Sequence, residues 1–272
     1  MPAHTVPFSV EPLYLTFTSK QLVVQTEVPE AHAFVARQYR WLLTSSGQPN
    51  AGKICITASG SDLHVQGLEE KVVPRQHAQL WQQQIKYEVL MHFMRARPDL
   101  LWLHAAAAAR GSRAVVLSGA WGSGKSTLTA HLLQSGWTYL SDDIAPLNMD
   151  TGEVLPFPQT PMRRRVPTHE IPREQVPMLE KEEIPLAQQT ISRVPCCIDA
   201  LFLPHFDADT KAELAHIKGA QAVLLLVAQC LNFQDHQEKA LAYLGQLCQK
   251  KSVFSLPYRD STQAASLIEK IL

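Results

Sequence analysis

Cysteine spacings typical of disulfides or zinc sites, long apolar runs and an excess of charge of one sign are all missing from this sequence. The five cysteines are odd in number and include no C-x-x-C spacing, which argues against a disulfide framework or a structural zinc site. The longest apolar run, AVLLLVA at residues 222–228, is too short to span a bilayer. Because 25 basic residues balance 25 acidic ones, no overall charge attracts nucleic acid or an anionic membrane.

A secretory signal is missing as well. The first residues, MPAHTVPFSVEPLYL, lack a basic segment followed by an apolar run, and the eleven histidines form no dense tract that would indicate a metal site. We therefore predict a soluble, cytoplasmic protein with no nucleic-acid partner and no membrane partner. A length of 272 residues suits one large domain or two small ones.

The patterns that are present divide the chain into two regions, residues 1–97 and 98–272. In the first region, SVEPLYLTF and KICITASGSDLHVQGL alternate apolar and polar side chains, as strands with one buried face do. Residues 76–94 repeat apolar side chains at helical spacing, and the proline of RARPD ends that helix. The segment AHAFVARQYRWLL fits either a helix or a strand. We predict a small β-rich N-terminal region that ends in a helix.

The second region begins with alternating strands and helices. LLWLHAAAAA predicts one strand, RGSR a turn, and AVVLSG a second strand that leads into a glycine-rich stretch. KSTLTAHLLQSG follows as a helix with a glycine stop. After it, WTYLSDD predicts a short strand and IAPLNMDTGEVLPF a hairpin.

The rest of the second region interrupts this alternation and then resumes it. Residues 161–196 are charged and rich in proline, which predicts a long loop with at most short helical pieces. Beyond them, IDALFLP and SVFSLPY predict strands, whereas AQAVLLLVAQCL, HQEKALAYLGQLC and TQAASLIEKIL predict helices. The order of elements predicts an α/β fold with a mixed sheet flanked by helices.

The stretch GAWGSGKST at residues 119–127 carries the strongest chemical signal. It fits G-x-x-x-x-G-K-[S/T], the phosphate-binding (Walker A) loop, and it stands between a predicted strand and a predicted helix. Glycines let backbone N–H groups face phosphate oxygens, Lys125 would reach the β and γ phosphates, and the Ser126 hydroxyl would hold Mg²⁺. Trp121 caps the loop, shields the phosphates or stacks on a base. The predicted nucleotide-binding residues are Gly119, Ala120, Trp121, Gly122, Ser123, Gly124, Lys125, Ser126 and Thr127.

Two neighbouring carboxylates follow the loop, at the end of the next predicted strand. Asp142 and Asp143 lie 17 and 18 residues after Lys125, where a carboxylate can ligate Mg²⁺, orient water or accept a proton. Adjacent residues on a strand point in opposite directions, so both serve only if the chain turns there. Otherwise one of them is a turn or helix-cap aspartate. His104, 15 residues before Gly119, is either a site residue or a hydrogen-bonded core histidine.

Together these features resemble the catalytic domain of the HPr kinase/phosphorylase family. The resemblance covers residues 103–158 and rests on His104, GAWGSGKS and the DD pair at their mutual spacings. LHAAAAARGSRAVVLSG and GWTYLSDD are more similar to the shorter HPr-kinase-related proteins, some of which phosphorylate ribosomally made peptides such as lasso precursors. A weaker similarity continues at HIKGAQAVLLLVAQCLNF and VFSLPYRDSTQAA. The resemblance implies a P-loop mixed sheet like the C-terminal domain of HPr kinase, with residues 98–272 as the kinase domain.

The resemblance also implies a role for each matching residue. Lys125 would bind phosphates, and His104 would lie beside them. Ser126 and Asp143 would hold the metal ion, and Asp142 would accept the proton of the serine hydroxyl. Members of the family phosphorylate a protein serine with ATP and Mg²⁺, so we expect these two cofactors. The expected partner is an acceptor protein or precursor peptide that carries a serine, and a homo-oligomer stays open.

The chain departs from the family in one region. The glutamate-arginine-glycine signature of the bifunctional enzymes is absent, and FPQTPMRRRVP occupies its place. Here Arg163, Arg164 and Arg165 either contact a nucleotide or acceptor phosphate, or form a solvated basic turn. The missing signature argues against phosphorylase activity and against HPr itself as the substrate.

The sequence therefore predicts a serine kinase of proteins or peptides. Two other functions stay open: a P-loop kinase of a small hydroxylated molecule, and a nucleotide-sensing module that transfers no phosphate. The carboxylate pair argues against the module, because a switch needs metal ligation but no base.

Overall fold

The computed structural model describes residues 10–164 and 181–271, and the chain divides after Pro98 into two units. The described residues of the N-terminal unit form a six-stranded sheet with two helices. Its elements are β1 (Leu13–Phe17), β2 (Lys20–Thr26), α1 (Pro29–Gln38), β3 (Leu43–Thr44), β4 (Gly52–Ser59), β5 (Asp62–Gln66), β6 (Glu70–Pro74) and α2 (Ala78–Ala96). The strand order is β3-β1-β2-β4-β5-β6, in which every neighbouring pair is antiparallel except β2 and β4.

The segment that fits either a helix or a strand forms the helix α1. Pro29 stands in its first turn, where the fixed φ of proline suits a helix and its missing N–H breaks no helical hydrogen bond. The buried side chains recur at the spacing of one helical face. They are Ala31, Phe34, Val35 and Gln38. The longer helix that the pattern predicts over residues 76–94 is present as α2.

A buried polar pair lies on α2. The carboxylate of Glu88 is fully buried and accepts hydrogen bonds from the backbone N–H of Leu68, at 2.8 Å, and from the Gln84 amide, at 3.3 Å. The ring of His92 donates through Nδ1 to the carbonyl of Ala51 at 2.9 Å, and its Nε2 lies 4.0 Å from Glu88. Burial lowers the pKa of His92, so the folded unit favours the neutral imidazole.

The described part of the C-terminal unit is a curled mixed sheet with helices on both faces, so the prediction of an α/β fold is confirmed. Its elements are β7 (Leu100–Leu103), β8 (Ala105–Arg110), β9 (Arg113–Ser118), α3 (Lys125–Gln134), β10 (Thr138–Ser141), β11 (Ala145–Asn148), β12 (Glu153–Val154), β13 (Met162–Arg164), β14 (Lys181–Glu183), a 3-10 turn (Gln188–Thr190), β15 (Cys196–Phe206), β16 (Ala215–Ile217), α4 (Gly219–Val227), α5 (Phe233–Lys250), β17 (Ser252–Tyr258) and α6 (Ser261–Ile271). The order is β10-β8-β9-β15-β12-β11-β7, with β17 beside β15 and β16 beside β17.

The carboxyl ends of four strands lie on the same side of this sheet, here called the sheet edge. β9, β15 and β17 are parallel neighbours, and β10 points the same way because β10 and β9 both run antiparallel to β8. β8 begins at this edge, where Ala105 lies opposite Ser118. α3 and α6 pack on one face of the sheet, and α4 and α5 pack on the other. In open α/β sheets ligands bind beyond the carboxyl ends of the strands, so a site is expected at this edge.

The alanine run of β8 forms a strand although alanine favours helices. Ala106 and Ala108 pack on the face of α3, whereas Ala105, Ala107 and Ala109 pack on the opposite face. All five side chains are fully buried. Because helices cover both faces of the sheet, small side chains in this strand let those helices approach closely, and tertiary packing overrides the local preference.

The prediction of one strand over LLWLHAAAAA is wrong, because two strands meet there at His104. β7 pairs with β11, whereas β8 pairs with β9 and β10. The backbone N–H of His104 donates to the carbonyl of Gln229 at 2.8 Å instead of joining either ladder. The side chain of Asn232 makes two hydrogen bonds to β7. It accepts one from the N–H of Trp102 and donates one to the carbonyl of Leu100, both at 2.9 Å. The break was missed because an apolar run without turn residues gives no local sign of it.

The region 161–196 also differs from its prediction as a loop with short helical pieces. Its described residues contain the antiparallel pair β13–β14 and a 3-10 turn, while residues 165–180 lie outside the described part. The short strand β16 was not predicted either. Within the described residues, no helix is long and apolar enough to cross a membrane. All five cysteines are free thiols.

Candidate functional site

Residues 119–124, here called the glycine loop, join the end of β9 to the start of α3. Gly122 and Gly124 have φ values of +81° and +94°, a region that side-chain-bearing residues rarely adopt. A Cβ on Gly124 would lie 1.7 Å from the hydroxyl oxygen of Tyr258, so space as well as conformation requires glycine there. The glycines of the motif therefore let the chain turn sharply into a helix that begins at Lys125.

The Lys125 ammonium group is turned back onto the glycine loop. Its Nζ donates to the carbonyl oxygens of Gly119, at 2.8 Å, and Ala120, at 3.1 Å. Burial lowers the pKa of Lys125, while the negative charges of Asp143 and Asp142 act in the opposite direction. A buried cation with two exchangeable carbonyl partners is suited to bind an anion that enters the loop.

Asp142 lies beside the helix start. It is buried, and its Oδ1 accepts a hydrogen bond of 3.0 Å from the Ser126 hydroxyl. Burial, and next the charge of Asp143, raise the pKa of Asp142 to about 7. Asp143 has a φ of +68°, so the chain turns immediately after Asp142. This turn meets the condition under which both carboxylates can serve one site.

His104 belongs to the same group of charges. Its pKa is lowered by burial and then by the positive charge of Lys125, whereas Asp143 raises it. The side chain of Gln229 hydrogen-bonds to the imidazole and also raises its pKa. The structure therefore brings His104, Lys125, Asp142 and Asp143 together at the edge where β9 and β10 end.

The other predicted loop residues differ in exposure. Ala120, Gly122 and Thr127 are exposed, and Trp121 has 50% of its surface accessible. The hydroxyl of Ser123 is buried and finds no hydrogen-bond partner within the described part of the chain. A buried polar atom without a partner is costly, and a ligand bound in the loop would supply one.

Arg163, one of the two predicted arginines, is not brought to the glycine loop. Arg163 lies on β13 and pairs with Glu182 at 2.6 Å. It lines a cleft of about 310 Å³ with Ala130 and Gln134, in the later turns of α3 rather than at the helix start. Arg165 lies outside the described residues.

Two residues near the site were missed in the sequence. Gln229 follows α4 and contacts His104 through both backbone and side chain. Tyr258 ends β17, and its hydroxyl donates to the carbonyl of Gly124 at 3.3 Å. The signal for Tyr258 was available, because a polar aromatic residue at the carboxyl end of a predicted strand is a site candidate. Gln229 has no comparable local signal.

The donor set at the loop fits Mg²⁺ rather than a transition metal. Within residues 10–164 and 181–271, no group of three or more His, Cys, Asp or Glu side chains could hold a metal. Ser126, Asp142 and Asp143 offer oxygen atoms, and Mg²⁺ in nucleotide sites is usually held by one or two carboxylates together with phosphates and waters. The unpartnered Ser123 hydroxyl of the glycine loop suits a polar ligand.

Comparison with known proteins assigns no family to the chain. No protein-family model matches the sequence. A search of curated proteins likewise returns no match.

Proposed function

We propose that the protein is an ATP- and Mg²⁺-dependent kinase that transfers the γ-phosphate to a serine hydroxyl of a protein or a ribosomally made precursor peptide. The observation that carries the proposal is the convergence of Lys125, His104 and two aspartates on the glycine loop. A strand, a glycine-rich turn and a helix that begins at Lys125 support the assignment of this segment as a phosphate-binding P-loop.

Phosphate binding at this loop exchanges one set of hydrogen bonds for another. Lys125 would leave the carbonyls of Gly119 and Ala120 and donate to the β and γ phosphates. The Ser123 hydroxyl would gain its missing partner, and the first N–H groups of α3 would face the anion. His104 would lie beside the phosphates as a neutral imidazole, because burial and Lys125 both lower its pKa.

The geometry supports distinct roles for the two aspartates. The family pattern makes Asp142 the base and Asp143 the metal support, but the hydrogen bond from Ser126 to Asp142 favours the reverse. Ser126 and Asp142 would then hold Mg²⁺, which supplies positive charge to the triphosphate. Asp143 would accept the serine proton while the serine oxygen bonds to the γ-phosphorus and ADP leaves.

The proposal is tested by adding Mg²⁺·ATP and the protein to an extract of its native cells and searching for new phosphoserine by mass spectrometry. We expect phosphopeptides with the wild type and with Lys250→Ala, a surface control, but none with Lys125→Ala. A phosphorylated small molecule in place of a peptide would favour the small-molecule kinase. Negligible ATP turnover with every acceptor would favour the nucleotide-sensing module.

A further inference from the structure

The glycine loop lies between two different flanks of the sheet edge. On one flank β10 ends at the aspartate pair and β8 begins after His104. On the other flank β15 ends at Phe206 and β17 ends at Tyr258. β10 and β15 are three strand positions apart, which at about 4.8 Å per position is roughly 14 Å. The loop thus separates a catalytic flank from an aromatic flank.

The aromatic flank is attached directly to the loop. Tyr258 is buried, its hydroxyl bonds to the Gly124 carbonyl, and its ring meets Phe206 edge to face at a centroid distance of 5.8 Å. At the other end of the loop, a Cβ on Gly119 would lie 3.6 Å from the carbonyl oxygen of Pro204, two residues before Phe206. Phe206 therefore lies beside the glycine loop and in contact with a ring that is bonded to it.

Phe206 itself is open to solvent. Its side chain is 48% exposed, although Phe202 on the same strand and the opposite Phe254 on β17 are stacked and buried. The Phe206 ring is in contact with Tyr258 and is partly exposed to solvent. Its exposed area can therefore stack against another planar group. An aromatic platform of this kind binds any base, because every base has a π-face.

We propose that Phe206 is the platform on which the base of the bound nucleotide stacks. This inference rests on the proposed kinase function, because it needs a triphosphate in the glycine loop. The acceptor hydroxyl must approach the γ-phosphate from the flank that carries Asp143, so the base of the donor extends toward the opposite flank. Stacking without base-edge hydrogen bonds predicts little discrimination between ATP and GTP.

The test compares a ligand that has a base with one that has none. The dissociation constants of ATP and of inorganic tripolyphosphate, both with Mg²⁺, are measured for the wild type, Phe206→Ala and Phe206→Trp. We expect Phe206→Ala to weaken ATP binding roughly tenfold and to leave tripolyphosphate binding unchanged. Phe206→Trp should bind ATP at least as tightly as the wild type. Leu241→Ala, which removes another half-exposed apolar side chain from the opposite face, is the control.

The outcomes separate this inference from the proposed function. An equal loss for both ligands in Phe206→Ala would overturn the inference, because the ring would then support the loop rather than the base. An unchanged ATP affinity in Phe206→Ala would also overturn the inference. If Trp121→Ala weakens ATP binding instead, the base stacks on Trp121. If the wild type binds neither ligand, the kinase proposal fails as well. Should Phe206→Ala not fold, Phe206→Leu removes the flat ring while it retains the apolar volume.

Discussion

At the scale of single residues, the hydrogen bond between Ser126 and Asp142 has the most direct chemical consequence. It attaches one carboxylate to the hydroxyl expected to contact the metal ion. Asp143, where the chain makes a left-handed turn, instead acts through its charge on the pKa of His104 as well as on that of Lys125. Two adjacent residues of the same type therefore have different neighbours and are expected to respond differently to substitution.

We predict that Asp143→Asn lowers the transfer rate by roughly 10²–10⁴-fold without rescue by excess Mg²⁺. Asp142→Asn should instead raise the Mg²⁺ requirement, and high Mg²⁺ should partly restore its rate, because mass action compensates for a weakened metal site but not for a lost base. Titration of Mg²⁺ against rate for both variants measures this. If only Asp143→Asn is rescued, the roles are those of the family pattern, and if neither variant loses activity the kinase proposal is wrong.

The sequence predicts some residues of the site better than others. Lys125, Asp142 and Asp143 belong to one strand-loop-helix-strand stretch, so their proximity follows from local structure. His104 is predictable only through the family resemblance. Gln229 and Tyr258 lie more than a hundred residues after the start of β9, the strand that leads into the glycine loop. Whether they lie near the loop depends on the order of the strands in the sheet. Local patterns carry no information on that order.

At the scale of elements, β7 pairs with β11 and is also held by a single side chain from another segment. The amide of Asn232 satisfies one N–H and one C=O of this strand, and all three residues of the contact are buried. A buried backbone group that loses its hydrogen-bond partner destabilises the fold, because water cannot reach it to replace the lost bond. The contact therefore holds the strand that leads into His104.

We predict that Asn232→Ala lowers the free energy of unfolding by roughly 2–5 kcal/mol, since it leaves two buried backbone groups unpaired. Asn148→Ala is the matched control: that side chain likewise makes two hydrogen bonds to the backbone, accepting from the N–H groups of Asp150 and Thr151, but in an exposed turn. We expect the control to cost less than about 1 kcal/mol. Urea unfolding of both variants provides the measurement, and equal losses would contradict the role of Asn232.

The buried pair on α2 gives the N-terminal unit a dependence on pH. Burial lowers the pKa of His92 below its ordinary value of 6.5, so under acid conditions the unfolded chain takes up a proton that the folded chain resists. We predict that the His92 contribution to stability declines as the pH falls from about 7.5 to about 5.5. His92→Gln, which removes the titrating group, should show a flatter decline in melting temperature. Parallel pH profiles for the two proteins would refute this prediction.

The elements themselves were predictable where the pattern had one interpretation. Strands with strict alternation and helices with a clear apolar face, such as α2, are present. The break at His104 and the pair β13–β14 were not predictable, because partners distant in sequence decide where a strand begins and ends. For α1, the proline at its start is a local signal that distinguishes a helix from a strand.

At the scale of the whole molecule, all described groups around the glycine loop belong to the C-terminal unit. That unit has its own core on both faces of its sheet. We predict that residues 99–272, expressed alone, fold and bind Mg²⁺·ATP within about tenfold of the full chain, since a unit with its own core can fold alone. Circular dichroism and calorimetric titration test this. A folded fragment without ATP affinity would show that residues 1–98 contribute to the nucleotide site.

The inward-turned Lys125 has a consequence for the kinetics of ligand association. Its charge is buried and already bonded to two loop carbonyls, and the chain as a whole carries no formal net charge. A nucleotide therefore approaches without a strong long-range field and meets the cation only after displacing those carbonyls. The association rate should then vary little with ionic strength, unlike that of proteins that steer anions with exposed charge. Salt would act mainly on the dissociation of the bound nucleotide, after the lysine has changed partners.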